Sequence, residues 1–180
     1  MRIGFVGTHS TGKTTLLEKI KESGILEDHE FVTSISRKLK AQGFKINKEA
    51  DEKSQLALLD AYMQTLGSEN FVCDRSLLDP LAYTKYQNKI GKIPTRAVKV
   101  VQNTVFDNVH LYDLLFYFPI DFDLVEDGVR DSDKDYRKNI DKILRREIKK
   151  TGVKVYEIKG TTDERFEKFR EIVEDYKSKH

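Results

Sequence analysis

The sequence predicts an α/β fold, a five-stranded parallel sheet with helices on both faces, and three observations carry that prediction. Short apolar runs alternate with amphipathic runs along the whole chain, beginning with Ile3-Gly4-Phe5-Val6 and then Leu16-Leu17-Ile20. Regular alternation of this kind makes crossover units and parallel strand pairing. Phe71-Val72-Cys73 and Leu114-Leu115-Phe116-Tyr117-Phe118 are apolar throughout rather than at every second position, as strands covered on both faces must be. Between the first strand and the first helix stands Gly7-Thr8-His9-Ser10-Thr11-Gly12-Lys13-Thr14. A glycine, four free positions, then Gly-Lys-Thr is the spacing of the phosphate-binding loop of P-loop NTPases.

The elements follow in order. The helix from about Lys13 ends near Gly24, a natural residue just past a helix end. Glu30-Phe31-Val32-Thr33 reads as a second strand, and Ser34 is placed to cap a helix that carries Ile35 and Leu39 and stops at Gly43. A longer helix is expected from about Lys48 to Leu66, with Leu56, Leu59, Met63 and Leu66 at helical spacing and Gly67 closing it. Phe71 to Asp74 is a buried strand that delivers a carboxylate to the C-terminal edge of the sheet. Asp79-Pro80 reads as a cap followed by Pro at the first helical position. Pro94-Thr95 opens a helix with Val98, Val101 and Val105 on its buried stripe. Pro119 ends the fourth strand. Ser132 and Asp135 make a capping-box-like start for a helix bearing Tyr136, Ile140, Ile143, Leu144 and Ile148, with Gly152 at its end. Val153 to Ile158 is the fifth strand, and Thr161-x-x-Glu164 opens a last helix that turns Phe166, Phe169, Ile172, Val173 and Tyr176 inward.

Composition narrows the class. The chain has 180 residues, 38% hydrophobic and 34% charged, which suits one domain over 1–180 with a proper core. No apolar run approaches a membrane span. A net charge of +2 is too small to argue for a nucleic-acid partner. The lone Cys73 lies in an apolar run, so a buried thiol in a reducing compartment is expected. The first strand opens at about Arg2 and leaves no room for a signal peptide, which makes the cytoplasm the expected location.

The loop dictates the first chemistry. Backbone N–H groups must turn inward around a polyphosphate, so Gly7 and Gly12 stand where a Cβ would block the turn or the ligand. The dipole of the following helix points its positive end at the same phosphates. Gly7, Thr8, His9, Ser10, Thr11, Gly12, Lys13, Thr14 and Thr15 are therefore the expected ATP contacts. Lys13 supplies charge to the outer phosphates, and the Thr14 hydroxyl is placed for Mg²⁺. His9 occupies a free position of the loop. Asp74 is expected beside Thr14, as a holder of Mg²⁺ or as acceptor of a proton from an attacking hydroxyl; a helix-capping Asp is the alternative. Arg75 reads either as a substrate grip or as half of a surface ion pair. Around Gly128, a segment of about 121–138 carries Arg130 and Arg137, which a closing lid would bring onto the transferring phosphate; a solvated charged turn is the plain alternative.

Gly7 to Thr15, Asp74-Arg75-Ser76 with Asp79 and Tyr83, Asp127-Gly128-Val129-Arg130 with Arg137, and Gly160-Thr161-x-x-Glu164-Arg165 together resemble the NadR-type AAA-domain ATPases. That family is similar to the nicotinamide riboside kinase domain of NadR, with nucleoside and nucleoside-monophosphate kinases as broader relatives. The resemblance implies a five-stranded parallel core, an Asp-Arg pair at the end of the third strand serving metal and acceptor, and an arginine-bearing lid. It also places Thr161 near the adenine. One departure stands out: relatives commonly carry a carboxylate near the end of the second strand, where this chain reads Thr33-Ser34-Ile35-Ser36-Arg37.

The acceptor pocket is expected between the segment Ser34 to Arg37, the helix from Lys48 and the start of the helix after Asp79. Arg37 would meet an acceptor phosphate or sit in solvent. Gln55 and Tyr62 would touch a base or serve as ordinary helix-surface and core residues; Tyr83 and Tyr86 read as packing. The expected activity is a small-molecule kinase that moves the γ-phosphoryl of ATP-Mg²⁺ to a nucleoside-like or nucleoside-monophosphate acceptor, as a monomer or a homodimer. An ATP-hydrolysing regulatory switch acting on a protein or nucleic-acid partner is the alternative. A GTPase is disfavoured, since Asn88-Lys89-Ile90-Gly91 lacks the Asp that reads guanine. Lys38-Leu39-Lys40, Arg145-Arg146 and Lys149-Lys150 read as solvated helix faces more readily than as a nucleic-acid surface.

Overall fold

A computed structural model describes residues 1–121 and 134–180. Five parallel strands, β1 (Arg2–Val6), β2 (Glu30–Val32), β3 (Phe71–Cys73), β4 (Leu114–Tyr117) and β5 (Val155–Glu157), form one sheet in the order β2-β3-β1-β4-β5. β1 pairs with β3 through Gly4 opposite Cys73, and with β4 through Val6 opposite Tyr117. After β1 the chain first builds β2 and β3 on one side, then β4 and β5 on the other. The C-terminal edge at β1 is therefore the point where the winding reverses, and there the connections diverge to leave a crevice.

Side chains alternate between two cores, as the period of two in a strand requires. Ile3, Phe5, Val72, Leu114 and Phe116 pack under α1 (Lys13–Ser23) and α7 (Thr162–Lys179). Val6, Phe71, Cys73, Leu115 and Tyr117 face the other layer, formed by α2 (Ile35–Ala41), α3 (Glu52–Thr65), α4 (Leu78–Lys89), α5 (Thr95–Asn108) and α6 (Lys134–Thr151). Both faces are covered, which explains why the central strands show no polar alternation. Burial pushes the Cys73 thiol well up, so it is an inert core residue. Among the described residues, no helix is long and apolar enough to cross a membrane.

Several boundaries differ from expectation, each for a local reason. The helix expected from Lys48 begins at Glu52 after a single 3-10 turn, Asn47–Glu49. Asp51 sets that start, because its Oδ1 accepts from the Ser54 N–H at 2.9 Å and the Ser54 hydroxyl at 2.8 Å. The buried face of α3 is also rotated: Gln55, Leu59 and Tyr62 are buried, while Leu56 and Met63 are half-buried. α4 begins at Leu78, so Asp79 lies inside the first turn rather than capping it. In α5 Ala97 takes the buried place expected of Val98. The fifth strand keeps only its middle residues, Val155–Glu157. Ser34 does precede α2, yet its side chain makes no cap. Thr161 and Glu164 form the expected capping box of α7. Ser132, Arg130 and most of the expected lid lie outside the described residues.

Candidate functional site

The turn between β1 and α1 is built by backbone that a side chain would obstruct. Gly7 has φ 155°, and a Cβ there would fall 2.8 Å from the Phe118 carbonyl oxygen. Gly12 leads into α1 in the left-handed region, at φ 81°, a conformation glycine takes without penalty. The loop carbonyls, which would repel a polyphosphate, are turned onto cations. Gly7 O accepts from Lys13 Nζ at 2.9 Å and from Arg75 Nη1 at 2.9 Å. Thr8 O also accepts from the Lys13 ammonium, which makes a further bond of 2.9 Å to Thr11 Oγ1. Ser10 O accepts from Arg137 Nη2 at 2.8 Å, and Thr11 O from Arg165 Nη1 at 2.6 Å. A carbonyl fixed on a cation does not swing away from it, so charges from just beyond β3, from α6 and from α7 hold the loop carbonyls in place.

Just beyond β3, the Asp74 amide donates to Val32 O and continues the sheet ladder for one bond. The Asp74 carboxylate then reaches back to α2, where its Oδ2 accepts the Ser34 N–H at 3.2 Å. Ser34 has φ 62°, a strained value for a residue with a Cβ. Burial raises the Asp74 carboxyl above the usual carboxylate range, opposed by Arg75, by the Ser34 N–H and by Lys13. Burial likewise pulls the Lys13 ammonium well below the ordinary lysine range; Arg75 and Arg137 add to this, and Asp79 and Asp74 oppose it. Asp79 anchors the neighbourhood, with one oxygen 2.7 Å from Arg75 Nη1 and the other accepting the Ser76 N–H at 3.0 Å.

Most of the residues expected from sequence converge. His9 to Thr15, Arg37, Asp74 and Arg75 line one groove, which Lys40 joins from α2. Gln55 lies one step further along, in a pocket against Tyr62, Tyr83, Asp79 and Arg75. Arg75, Ser36, Ile46 and Asn47 belong to both cavities, so the two are continuous. Arg75 is thus part of a largely buried ion pair with Asp79 rather than a surface one, and it lies where the two cavities meet. Tyr83 and Tyr86 do pack, as expected: both meet Tyr136 edge-on, with centroids 6.1 and 4.9 Å away, and Tyr83 also faces the pocket. Arg137, expected on a closing segment, is 3% exposed and already on the loop. Thr161 spends its hydroxyl on Glu164 in the capping box.

Sequence reasoning gave no role to Arg165, which is 1% exposed. It grips Thr11 O, pairs with Asp121 at 3.2 Å, and lies 5.7 Å from the Phe118 ring centre. The available signal was its spacing: Arg165, Phe169, Ile172 and Val173 share one helical stripe, and an arginine inside an apolar stripe needs a buried acceptor. Arg165→Met keeps the stem and removes the charge, leaving Thr11 O without its cation. It is expected to lower stability by about 1–3 kcal/mol and to weaken ATP binding, as read by urea unfolding and by calorimetry. Unchanged ATP affinity would confine Arg165 to packing.

The family comparison accords with this geometry, since the AAA domain family matches residues 2–165. No protein of curated function matches the chain by sequence. Among solved structures, deoxyadenosine kinase from M. mycoides, seen with dCMP and dCDP, superposes with TM-score 0.71 at 17% identity, over 97% of this chain and 100% of the kinase. NadR in complex with NR superposes with TM-score 0.73 at 18% identity, over 97% of this chain and 50% of NadR. Thymidylate kinase from Ehrlichia chaffeensis gives 0.63 at 16% identity, over 96% of this chain and 98% of that enzyme. At such identities the likeness establishes a shared fold. With the family match spanning nearly the whole length and the loop, sheet order and cation-held carbonyls in place, the chain belongs to the AAA domain family.

Proposed function

We propose that the chain is a kinase that transfers the γ-phosphoryl group of ATP-Mg²⁺ to a small nucleoside-like or nucleoside-monophosphate acceptor. The observation that carries this reading is Arg75, which reaches from the loop carbonyl of Gly7 to Asp79 in the neighbouring pocket. A cradle for a polyphosphate opening directly into a second pocket is what transfer between two bound molecules requires, whereas hydrolysis alone needs only water.

The roles divide by position. The loop amides and the α1 dipole hold the donor phosphates, and Lys13 turns from the loop carbonyls to the outer phosphates when these arrive. Thr14, in the first turn of α1, and Asp74 lie along the same groove and offer two hard oxygen donors, a set that suits Mg²⁺ with its remaining positions taken by phosphate and water. The ion would neutralise charge on the transferring group. Arg137, fixed at Ser10, stands at the donor side of the groove. Gln55 accepts from the Thr84 hydroxyl at 3.5 Å, which leaves its amide N–H₂ for the edge of an acceptor base, and the Tyr83 ring provides an apolar wall.

The test supplies ATP and Mg²⁺ with a panel of nucleosides, nicotinamide riboside and nucleoside monophosphates, and follows ADP release and product mass. Acceptor-dependent ADP release with a phosphorylated product is expected. Hydrolysis indifferent to every acceptor, with ATP bound, would defeat the kinase reading and favour a regulatory ATPase.

A further inference from the structure

Two cations in the groove have no ion-pair partner among the described residues. Lys13 is held by three loop oxygens and Arg75 by Gly7 O and Asp79. Arg37 and Lys40, by contrast, are exposed on α2, line the same groove, and form no ion pair among the described residues. Their spacing of three places them on one helical face, close enough to share a single anion. The sequence beside them, Thr33-Ser34-Ile35-Ser36, carries no acid. Among the described residues, Asp74 is the one carboxylate along the groove, and it already receives the Ser34 N–H.

An alcohol and a phosphate make opposite demands on such a groove. A hydroxyl acceptor must lose a proton as it attacks, so it needs a base, but it brings no charge to neutralise. A phosphate monoester has a second pKa of about 6 and is already ionised at neutral pH. It needs no base, but it must be drawn toward another polyanion, which takes cations. Among the described residues, α2 adds two cations to the groove and no further carboxylate, and Asp79 in the adjoining pocket is taken up by Arg75 and the Ser76 N–H.

We propose, building on the kinase reading above, that the acceptor is a phosphate monoester such as a nucleoside 5′-monophosphate, with Arg37 and Lys40 holding its phosphate. An oxygen of that phosphate attacks the γ-phosphorus of ATP, and the bond from the γ-phosphorus to the bridging oxygen breaks. A new anhydride forms and ADP departs. Dianion and tetra-anion become two tri-anions, so no proton is transferred and Asp74 is left free for the metal ion.

The experiment is calorimetry on the full chain saturated with a non-hydrolysable ATP analogue and Mg²⁺. The probes are dAMP, dCMP, dGMP, dTMP and nicotinamide mononucleotide, each paired with its own nucleoside. At least one monophosphate is expected to bind about tenfold or more tightly than its nucleoside, the scale of two charge-assisted contacts partly screened by solvent. Arg37→Ala/Lys40→Ala should remove that preference while leaving affinity for the analogue within about twofold, and Arg37→Lys/Lys40→Arg should restore it in part. Equal binding of every pair, or a double variant that weakens the analogue instead, overturns the assignment. ADP release provides a separate reading. A preferred monophosphate that releases no ADP keeps the phosphate site and removes the kinase. A nucleoside that is phosphorylated while its monophosphate is not keeps the kinase and overturns the phosphate acceptor.

Discussion

Asp74→Asn is expected to leave a folded, ATP-binding protein whose turnover falls about 10²–10⁴-fold, the span associated with losing a charged group at the reacting centre. The substitution keeps the shape, and the amide oxygen can still accept the Ser34 N–H that Asp74 Oδ2 now takes at 3.2 Å. What disappears is the negative charge that acts on Lys13 from across the groove it shares with Thr14. The sign of the stability change follows from the raised carboxyl. Because its folded pKa lies above the unfolded value, the ionised form costs the folded protein free energy, and wild type is relatively favoured below the unfolded pKa and loses that advantage as pH rises through the folded one. At neutral pH the Asn variant should therefore melt at or above the wild-type temperature. The rate should show the mirror image: wild-type turnover climbs with pH as Asp74 ionises, over a range above that of an ordinary carboxyl, and the variant lacks that limb. A variant that retains more than about a tenth of the wild-type rate, against the loss such groups normally cause, would take the carboxylate out of the reaction.

Lys13→Ala is the second large effect, and it falls on binding. Lys13 is 6% exposed, and its ammonium is bonded to Gly7 O, Thr8 O and Thr11 Oγ1. Burial and the nearby Arg75 hold its pKa well below the ordinary lysine value, so the charge is costly in the free protein and its removal should change the melting temperature little. In the complex the same low-polarity setting strengthens its attraction to a phosphate. ATP affinity is expected to fall about 10- to 100-fold, the range for a hydrogen bond to a charged group, as measured with a fluorescent ATP analogue. Affinity within twofold of wild type would mean that the loop amides and the α1 dipole hold the nucleotide by themselves.

Much of the molecule is legible in its residue order because the relevant physics is local. Alternating runs, two wholly apolar strands and the spacing from Gly7 to Thr14 state a parallel sheet with a phosphate loop at its edge, and the capping box at Thr161 and Glu164 announces α7. The same is true of Asp74, since a carboxylate that follows a buried strand has to emerge at the C-terminal edge. Local rules also explain the misplaced starts: the side chain of Asp51 outweighed a helical stripe that ran several residues further, and α4 opened before the Asp-Pro pair that marks it.

What the chain order leaves unsaid is which distant groups meet. Arg75, Arg137 and Arg165 stand far apart in sequence and read there as a grip or ion pair, a lid arginine and a residue of an apolar stripe, yet all three end on carbonyls of one short loop, because sheet order brings β3, α6 and α7 around the end of β1. A guanidinium carries no mark in sequence of the acceptor it will find, and only the packed sheet supplies one. Sequence by itself determined the parallel sheet, the phosphate loop and the carboxylate at its edge; the tertiary structure decided that three arginines hold the carbonyls of the loop, that Gln55 faces a second pocket, and that Arg37 and Lys40 line the groove. The reason is reach: strand period and cap chemistry act over a few residues, whereas burying a charge requires a partner that only the folded chain brings within 3 Å.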